Sequence, residues 1–251
     1  RGGIGKTSVG MDICNTMAES LEGKNLFISL EMGKASLFYR TAIKEGGAMG
    51  YDTLDMSEFS KNIRNDAEIA RRVYSKWANT VMVDKSGLTI QNIEHYIEKA
   101  KEELGNVPVV MIDYIGLINV GTKGEYEGIS EVARELKGIA KRQSTRIVML
   151  VQLNRQAGAG SVAPRLDMLR SSGSIEESAD MVWMLWRSEV DENRVHTVMA
   201  KNRDYIPGIK FDLMQEGLNY TECDHDDSHV ITDASQQGLQ TTTNKTKWGS
   251  K

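Results

Sequence analysis

Cysteine and proline are scarce in this chain. Its 251 residues hold two cysteines, Cys14 and Cys223, and three prolines. Two thiols so far apart make neither a disulfide framework nor the close pairs of a zinc site, and they suit a reducing compartment. No apolar run approaches the ~20 residues needed to cross a bilayer. No signal peptide is present either, but the chain opens inside a motif, so that absence excludes nothing upstream. A basic excess is also missing: 31 Lys and Arg face 35 Asp and Glu, a formal charge of −4. That balance excludes a uniformly basic coat while leaving room for a local basic channel. The stretch 153–174 is such a candidate, Gly/Ser-rich, with Arg155, Arg165 and Arg170 against only Asp167. It holds no aromatic residue, so contact there with a nucleic acid is expected to track phosphates rather than stack on bases.

What is present begins with the opening residues, RGGIGKT. A phosphate-binding loop reads Gly, four residues, then Gly-Lys-Ser/Thr. Gly5, Lys6 and Thr7 complete that pattern, with its first glycine expected one position before Arg1 and its feeding strand missing. Glycines let successive N–H groups of such a loop converge on an anion, and the following helix adds its positive end. Gly2, Gly3, Ile4, Gly5, Lys6, Thr7 and Ser8 are therefore the expected nucleotide contacts, Lys6 reaching the terminal phosphates and Thr7 ligating Mg²⁺. Val9, Ile13, Met17, Ala18 and Leu21 recur at helical spacing behind the loop, and Gly23 ends the run.

From there to Cys223 helix and strand alternate, the signature of a parallel sheet flanked by helices. The predicted strands are 25–30, 80–83, 107–113, 146–152 and 180–186, with 196–201 and 209–214 pairing as a terminal hairpin. The predicted helices are 34–45, 57–77, 89–104 and 129–142, with Thr89 as N-cap and Gly105 as stop. Residues 1–223 thus read as one ATPase domain. Residues 224–251 are acidic and then polar, with only Leu239 and Trp248 as large apolar side chains, and are expected to form a disordered tail.

Ligands of open parallel sheets gather at the carboxyl ends of strands. SLEM puts Glu31 at one tip, where a carboxylate can accept a proton from an attacking water. VVMIDY puts Asp113 at another, after four apolar residues, the form of a Mg²⁺-holding aspartate. IVMLVQLNR brings Gln152 and Arg155 to the sheet edge, and Gln152 could register the γ-phosphate. Each alone is an ordinary polar residue at a strand end; together and in order they point to nucleotide hydrolysis.

GGIGKT, SLEM, MIDYIGLI, VQLNR, LRSSGSIEESADMV and AKNRDYIPG resemble the ordered motifs of the DnaB-type replicative helicase family over residues 1–220. The resemblance implies a RecA-like P-loop fold, a homohexameric ring around single-stranded DNA, 5′→3′ translocation driven by ATP, and ATP bound between subunits. It implies catalytic roles for Lys6, Glu31, Asp113 and Gln152, with Lys201 and Arg203 reaching the neighbouring subunit's phosphates. It implies metal ligation by Thr7 and Asp113, and DNA contacts from Arg155, Arg170, Ser171 and Gly173. Ser171 replaces the acidic residue usual in the family, and the loop has Arg-Gly-Gly where Arg-Pro-Ser is usual. Partners by this reading are primase and a helicase loader, through regions outside this chain such as the family's helical N-terminal domain. The setting is the cytoplasm of a bacterial or phage-infected cell. Alternatives from the residues themselves are a RecA-like recombinase, a small-metabolite phosphotransferase and a non-catalytic nucleotide scaffold. Glu31 speaks against the last of these.

Overall fold

The computed structural model describes residues 4–50, 61, 66–153, 163–169, 172–188 and 190–225. Strands β1 (Asn25–Ser29), β2 (Thr80–Asp84), β3 (Val109–Asp113) and β4 (Arg146–Met149) form a parallel sheet in the order β2-β1-β3-β4. The two central strands are buried along their whole length. A strand covered on both faces needs apolar side chains at odd and even positions alike, which is why β3 reads as an unbroken VVMI before Asp113.

Helices cover both faces. Phe27, Val109 and Met111 point toward α1 (Lys6–Ser20), α2 (Lys34–Ala48) and α3 (Ala67–Trp77), where Cys14, Leu37, Ile69 and Trp77 complete one core. Leu26, Ile28, Val110 and Ile112 point the other way, onto α4 (Ile90–Leu104) and α5 (Glu125–Arg142) through Ile93, Ile97, Leu136 and Ile139. Burial pushes the Cys14 thiol up to about 12, so this cysteine is an inert core group. Cys223 is also free and half-buried.

Local signals set the helix ends. Thr89 caps α4 in a reciprocal capping box with Asn92, and Gly105 ends it at φ 80°. Asp66 caps α3 by accepting from the amides of Glu68 and Ile69. The expected helix 57–77 is seen from Ala67 onward, and most of its first part lies outside the described residues. Helix α5 starts at Glu125 rather than 129, because its first turn is polar and carries no apolar periodicity.

The expected hairpin belongs to a larger unit. Strands β5 (Met181–Arg187), β6 (Arg194–Asn202), β7 (Lys210–Glu216) and β8 (Asn219–Cys223) form a second sheet, antiparallel throughout, in chain order. Strand 180–186, read as part of the parallel pattern, pairs instead antiparallel with β6. The buried alternate residues Val182 and Met184 face the α4–α5 core, so both sheets share one interior. Before β5 comes a short helix, α6 (Ser172–Ser178). Leu153 and Leu169 bridge antiparallel, closing the base of the segment between them. Strand 146–152 ends at Met149, and Gln152 follows it in extended chain.

Candidate nucleotide site

The site is assembled where α1 meets the carboxyl ends of β1 and β3. Gly5 precedes α1 with φ 91°, a left-handed conformation that glycine adopts without penalty. One turn on, a Cβ at Gly10 would fall 2.8 Å from Met111 Cε, so this glycine lets α1 lie close against β3. That approach carries Thr7 onto the strand tip, where its hydroxyl donates to Asp113 Oδ2 at 2.7 Å.

The tips of β1 and β3 are in register, Ser29 beside Asp113, and the Leu30 amide donates to the Asp113 carbonyl at 2.8 Å. Ser29 Oγ donates to the Met32 carbonyl at 2.6 Å, folding SLEM into a tight turn that leaves Glu31 exposed. Electrostatics link these groups. Burial lowers the Lys6 pKa against the pull of Asp113 and Glu31. Burial raises that of Asp113; Glu31 adds to the rise, while Thr7, Lys6 and Arg40 oppose it. A cation and a carboxylate are thus both held against their hydration preference, a pattern concentrated at functional sites.

Lys6, Thr7, Glu31 and Asp113 are therefore brought together, with Ile4, Gly5 and Ser8 adjoining them at the start of α1. Gln152 lies just past β4, the strand paired with β3. Lys201 and Arg203 stand apart, at the end of β6, where they bond to Glu176, Glu177 and Asp180. Gly173 is exposed in the first turn of α6. Gly2, Gly3, Arg155, Arg170 and Ser171 lie outside the described residues.

Three side chains missed by sequence reasoning border the loop. Arg40, on α2, is close enough to Asp113 to lower its pKa. Tyr220, on β8, lies so close to Gly5 that a Cβ there would overlap the phenol. Arg187, on β5, hydrogen-bonds Tyr220; burial raises the phenol's pKa and Arg187 opposes the rise. No local pattern marks Tyr220, since NYTEC is a short polar strand and its partners lie far off in sequence. A cleft lined by Thr7, Ser8, Met11, Arg40 and Lys44 opens between α1 and α2.

Among the described residues His196, Asp212 and His225 form one group able to bind metal. Their hydrogen bonding argues against it. Asp212 Oδ1 lies 2.9 Å from His196 Nδ1 and 2.7 Å from His225 Nδ1, and Arg194 donates to Oδ2 at 2.8 Å. A cation bound there would face the Arg194 guanidinium, so the group is a closed network that neutralises a buried carboxylate.

The family comparison decides what this arrangement belongs to. The DnaB-like helicase C terminal domain family matches residues 1–213. The chain belongs to that family. Among curated relatives it is 29% identical to the replicative DNA helicase DnaB of Haemophilus influenzae over 225 residues, covering 81% of this chain and 46% of the relative. It is 27% identical to the replicative DNA helicase DnaC of Bacillus subtilis, again covering 81% and 46%. The chain thus spans about half the length of these relatives. Among solved structures, an ATPase domain determined on its own superposes with a TM-score of 0.75 at 25% identity, covering 89% of this chain and 82% of that one. A DnaB-like replicative helicase studied with primase gives 0.73 at 26% identity, covering 88% and 55%. The RecA-like ATPase fold expected of a DnaB-like helicase domain is the one observed. No described helix is long and apolar enough to cross a membrane.

Proposed function

We propose that this chain is the ATP-hydrolysing motor of a replicative DNA helicase, acting in a homohexameric ring that moves 5′→3′ along single-stranded DNA and unwinds duplex. The observation that carries the reading is the meeting of Thr7, Lys6, Glu31 and Asp113 at the tips of two parallel strands.

The residues present fit Mg²⁺: a hydroxyl and a buried carboxylate with a raised pKa offer hard oxygen donors that gain from a cation. Thr7 and Asp113 would hold it, and when bound it supplies charge neutralisation to the phosphates. Lys6 and the amides of residues 2–8 bind the phosphate chain of ATP. Glu31 accepts the proton of the water that attacks the γ-phosphorus as the bond to ADP breaks. Gln152 registers the γ-phosphate. Arg203 and Lys201 act on the ATP of an adjoining subunit, stabilising charge on the transferring group. Tyr220 and Arg187 offer an aromatic face and a guanidinium beside the loop, suited to the base of the nucleotide.

Arg155, Arg170, Ser171 and Gly173 follow the DNA backbone without reading sequence. Primase and a loader are the protein partners, by analogy with the relative studied with primase, and the setting is the cytoplasm of a bacterial or phage-infected cell. The test is ATPase activity with and without single-stranded DNA, together with strand separation on a substrate bearing a 5′ tail. DNA-stimulated hydrolysis with 5′→3′ unwinding is expected. Hydrolysis indifferent to DNA sinks the proposal, and DNA-stimulated hydrolysis in open filaments without unwinding favours a recombinase.

A further inference from the structure

Lys201 and Arg203 leave β6 on the same side, two residues apart, and both meet the end of α6. Lys201 Nζ donates to the Glu176 carbonyl at 2.5 Å, and Arg203 donates to the Glu177 carbonyl at 3.0 Å. These carbonyls belong to the last turn of α6, where intrahelical partners run out and positive side chains are favoured. Asp180 makes the third contact, accepting from Arg203 at 3.1 Å, while the Arg203 amide donates to the Asp180 carbonyl at 2.9 Å. A register shift aims the pair. Val182 faces Lys201 but Trp183 faces Met199, so Ala200 is an extra residue on β6, and β-bulges of this kind re-aim the side chains beside them. Asp180 is held from its other side by Lys137, and its pKa is lowered, first by the Lys137 hydrogen bond and then by the charges of Lys137, Arg203 and Lys201.

The result is a guanidinium gripped on one edge and open on the other. Arg203 spends two of its five N–H donors on α6 and Asp180 while its side chain stays 52% exposed. We propose that Asp180 is a positioning residue, which with the last turn of α6 fixes the direction in which Arg203 reaches a neighbouring subunit's nucleotide. The inference rests on the reading of Arg203 as acting in trans. It also ties Arg203 and Lys201 to the helix whose first turn carries Gly173, so a shift of α6 on DNA moves both cations together. An exposed ion pair adds little to stability, so the value of Asp180 lies in orientation, where small displacements cost rate.

The test is Asp180→Asn in verified hexamers. The expected result is a kcat lowered about tenfold, equivalent to ~1.4 kcal/mol of barrier. The KM for ATP should stay within about twofold, since the lost contact belongs to the transition state. Mixing supplies the readout that a structural defect would not give. Asp180→Asn subunits keep an intact phosphate loop, so Lys6→Ala subunits, which bring a well-placed Arg203, should partly restore activity. Arg203→Ala subunits should restore none, and Asp180→Asn/Arg203→Ala should be no slower than Arg203→Ala alone. Asp180→Glu should recover part of the rate. A wild-type or raised kcat, rescue by Arg203→Ala subunits, or failure of Asp180→Asn and Asp180→Glu to fold or form rings would each overturn the positioning role. Lys6→Ala and Arg203→Ala subunits mixed together form the control. If they do not complement, the trans reading fails and this inference with it; if they do while Asp180→Asn keeps its rate, only the inference fails.

Discussion

Asp113 and Asp212 are both sealed from water, at 3% and 0% exposure, yet their chemistry diverges. Asp113, at the tip of the parallel sheet, accepts a side-chain hydrogen bond from Thr7, and burial holds its pKa above the usual carboxylate range. Asp212, inside the antiparallel sheet, is equally subject to burial, but hydrogen bonds from His225, Arg194 and His196 outweigh it and hold the pKa below that range. The contrast separates two uses of a buried charge. The antiparallel sheet satisfies its carboxylate and so gains a fixed interior. The parallel sheet leaves its carboxylate and the nearby Lys6 under a net desolvation penalty, which is the state that a ligand carrying phosphates and a cation would relieve.

Breaking the ligand-hungry side has the largest expected effect. Lys6→Ala should cut ATP hydrolysis about 10³-fold, ~4 kcal/mol of barrier, without loss of fold by circular dichroism. A rate above about a tenth of wild type removes Lys6 from the phosphates. Asp113→Asn should cost activity on a similar scale, while the melting temperature of the nucleotide-free protein stays level or rises. A marked fall would mean that Asp113 is structural after all. Glu31→Gln should abolish turnover by at least about 10²-fold yet leave nucleotide binding in place, checked by fluorescent-nucleotide titration; joint loss of both would make Glu31 a binding group.

The satisfied side should answer the other way. Asp212→Asn removes the counter-charge from Arg194 in a buried network, and about 2–3 kcal/mol of stability should go, read by denaturant titration. The rate per folded molecule should hold; a selective loss of rate would bring Asp212 into the reaction. Smaller still is Tyr220→Ala, expected to raise the KM for ATP about fivefold, ~1 kcal/mol, through a lost stacking face. An unchanged KM would leave the base to other residues.

Acid should shrink both stability differences, from opposite signs. Asp212 has a lowered folded pKa, so its contribution is complete above the unfolded value of ~3.9 and is lost as pH falls through the folded one. Asp113 has a raised folded pKa, so its protonation favours folding below the unfolded value, and that favour is lost as pH rises through the folded one. The deficit of Asp212→Asn and any gain of Asp113→Asn should therefore both fade below about pH 4. Melting temperatures across pH 3–7 check this, and a deficit of Asp212→Asn that persists at pH 3 would assign it to packing.

The parallel half was legible because its strands are buried on both faces and announce themselves as apolar runs ending in a polar tip, as in VVMID. Thr89 and Gly105 worked for the same reason, being signals complete within a few residues. The antiparallel half was read less fully. A strand such as 181–187 has the same composition whether its partner runs parallel or not, and β8 is too short and polar to stand out. At the nucleotide site, Lys6, Thr7, Glu31 and Asp113 follow from strand tips and loop spacing, whereas Arg40, Arg187 and Tyr220 do not. Their relation to the loop exists only after distant elements pack, as does the grip of Asp180 on Arg203.

Tyr220 against Gly5 joins nearly the two extremes of the described chain. On a ribosome the loop leaves the exit tunnel long before the strand that covers it. Until β8 arrives, the phosphate-binding glycine has no phenol beside it, and the second sheet has no last strand to bring one. A nascent chain therefore completes the wall of its nucleotide pocket late in synthesis, after the parallel sheet has every strand it needs. Ordering of the pocket is thereby coupled to completion of the domain, and a nucleotide that binds it would brace the earliest-made helix and the last-made strand at once.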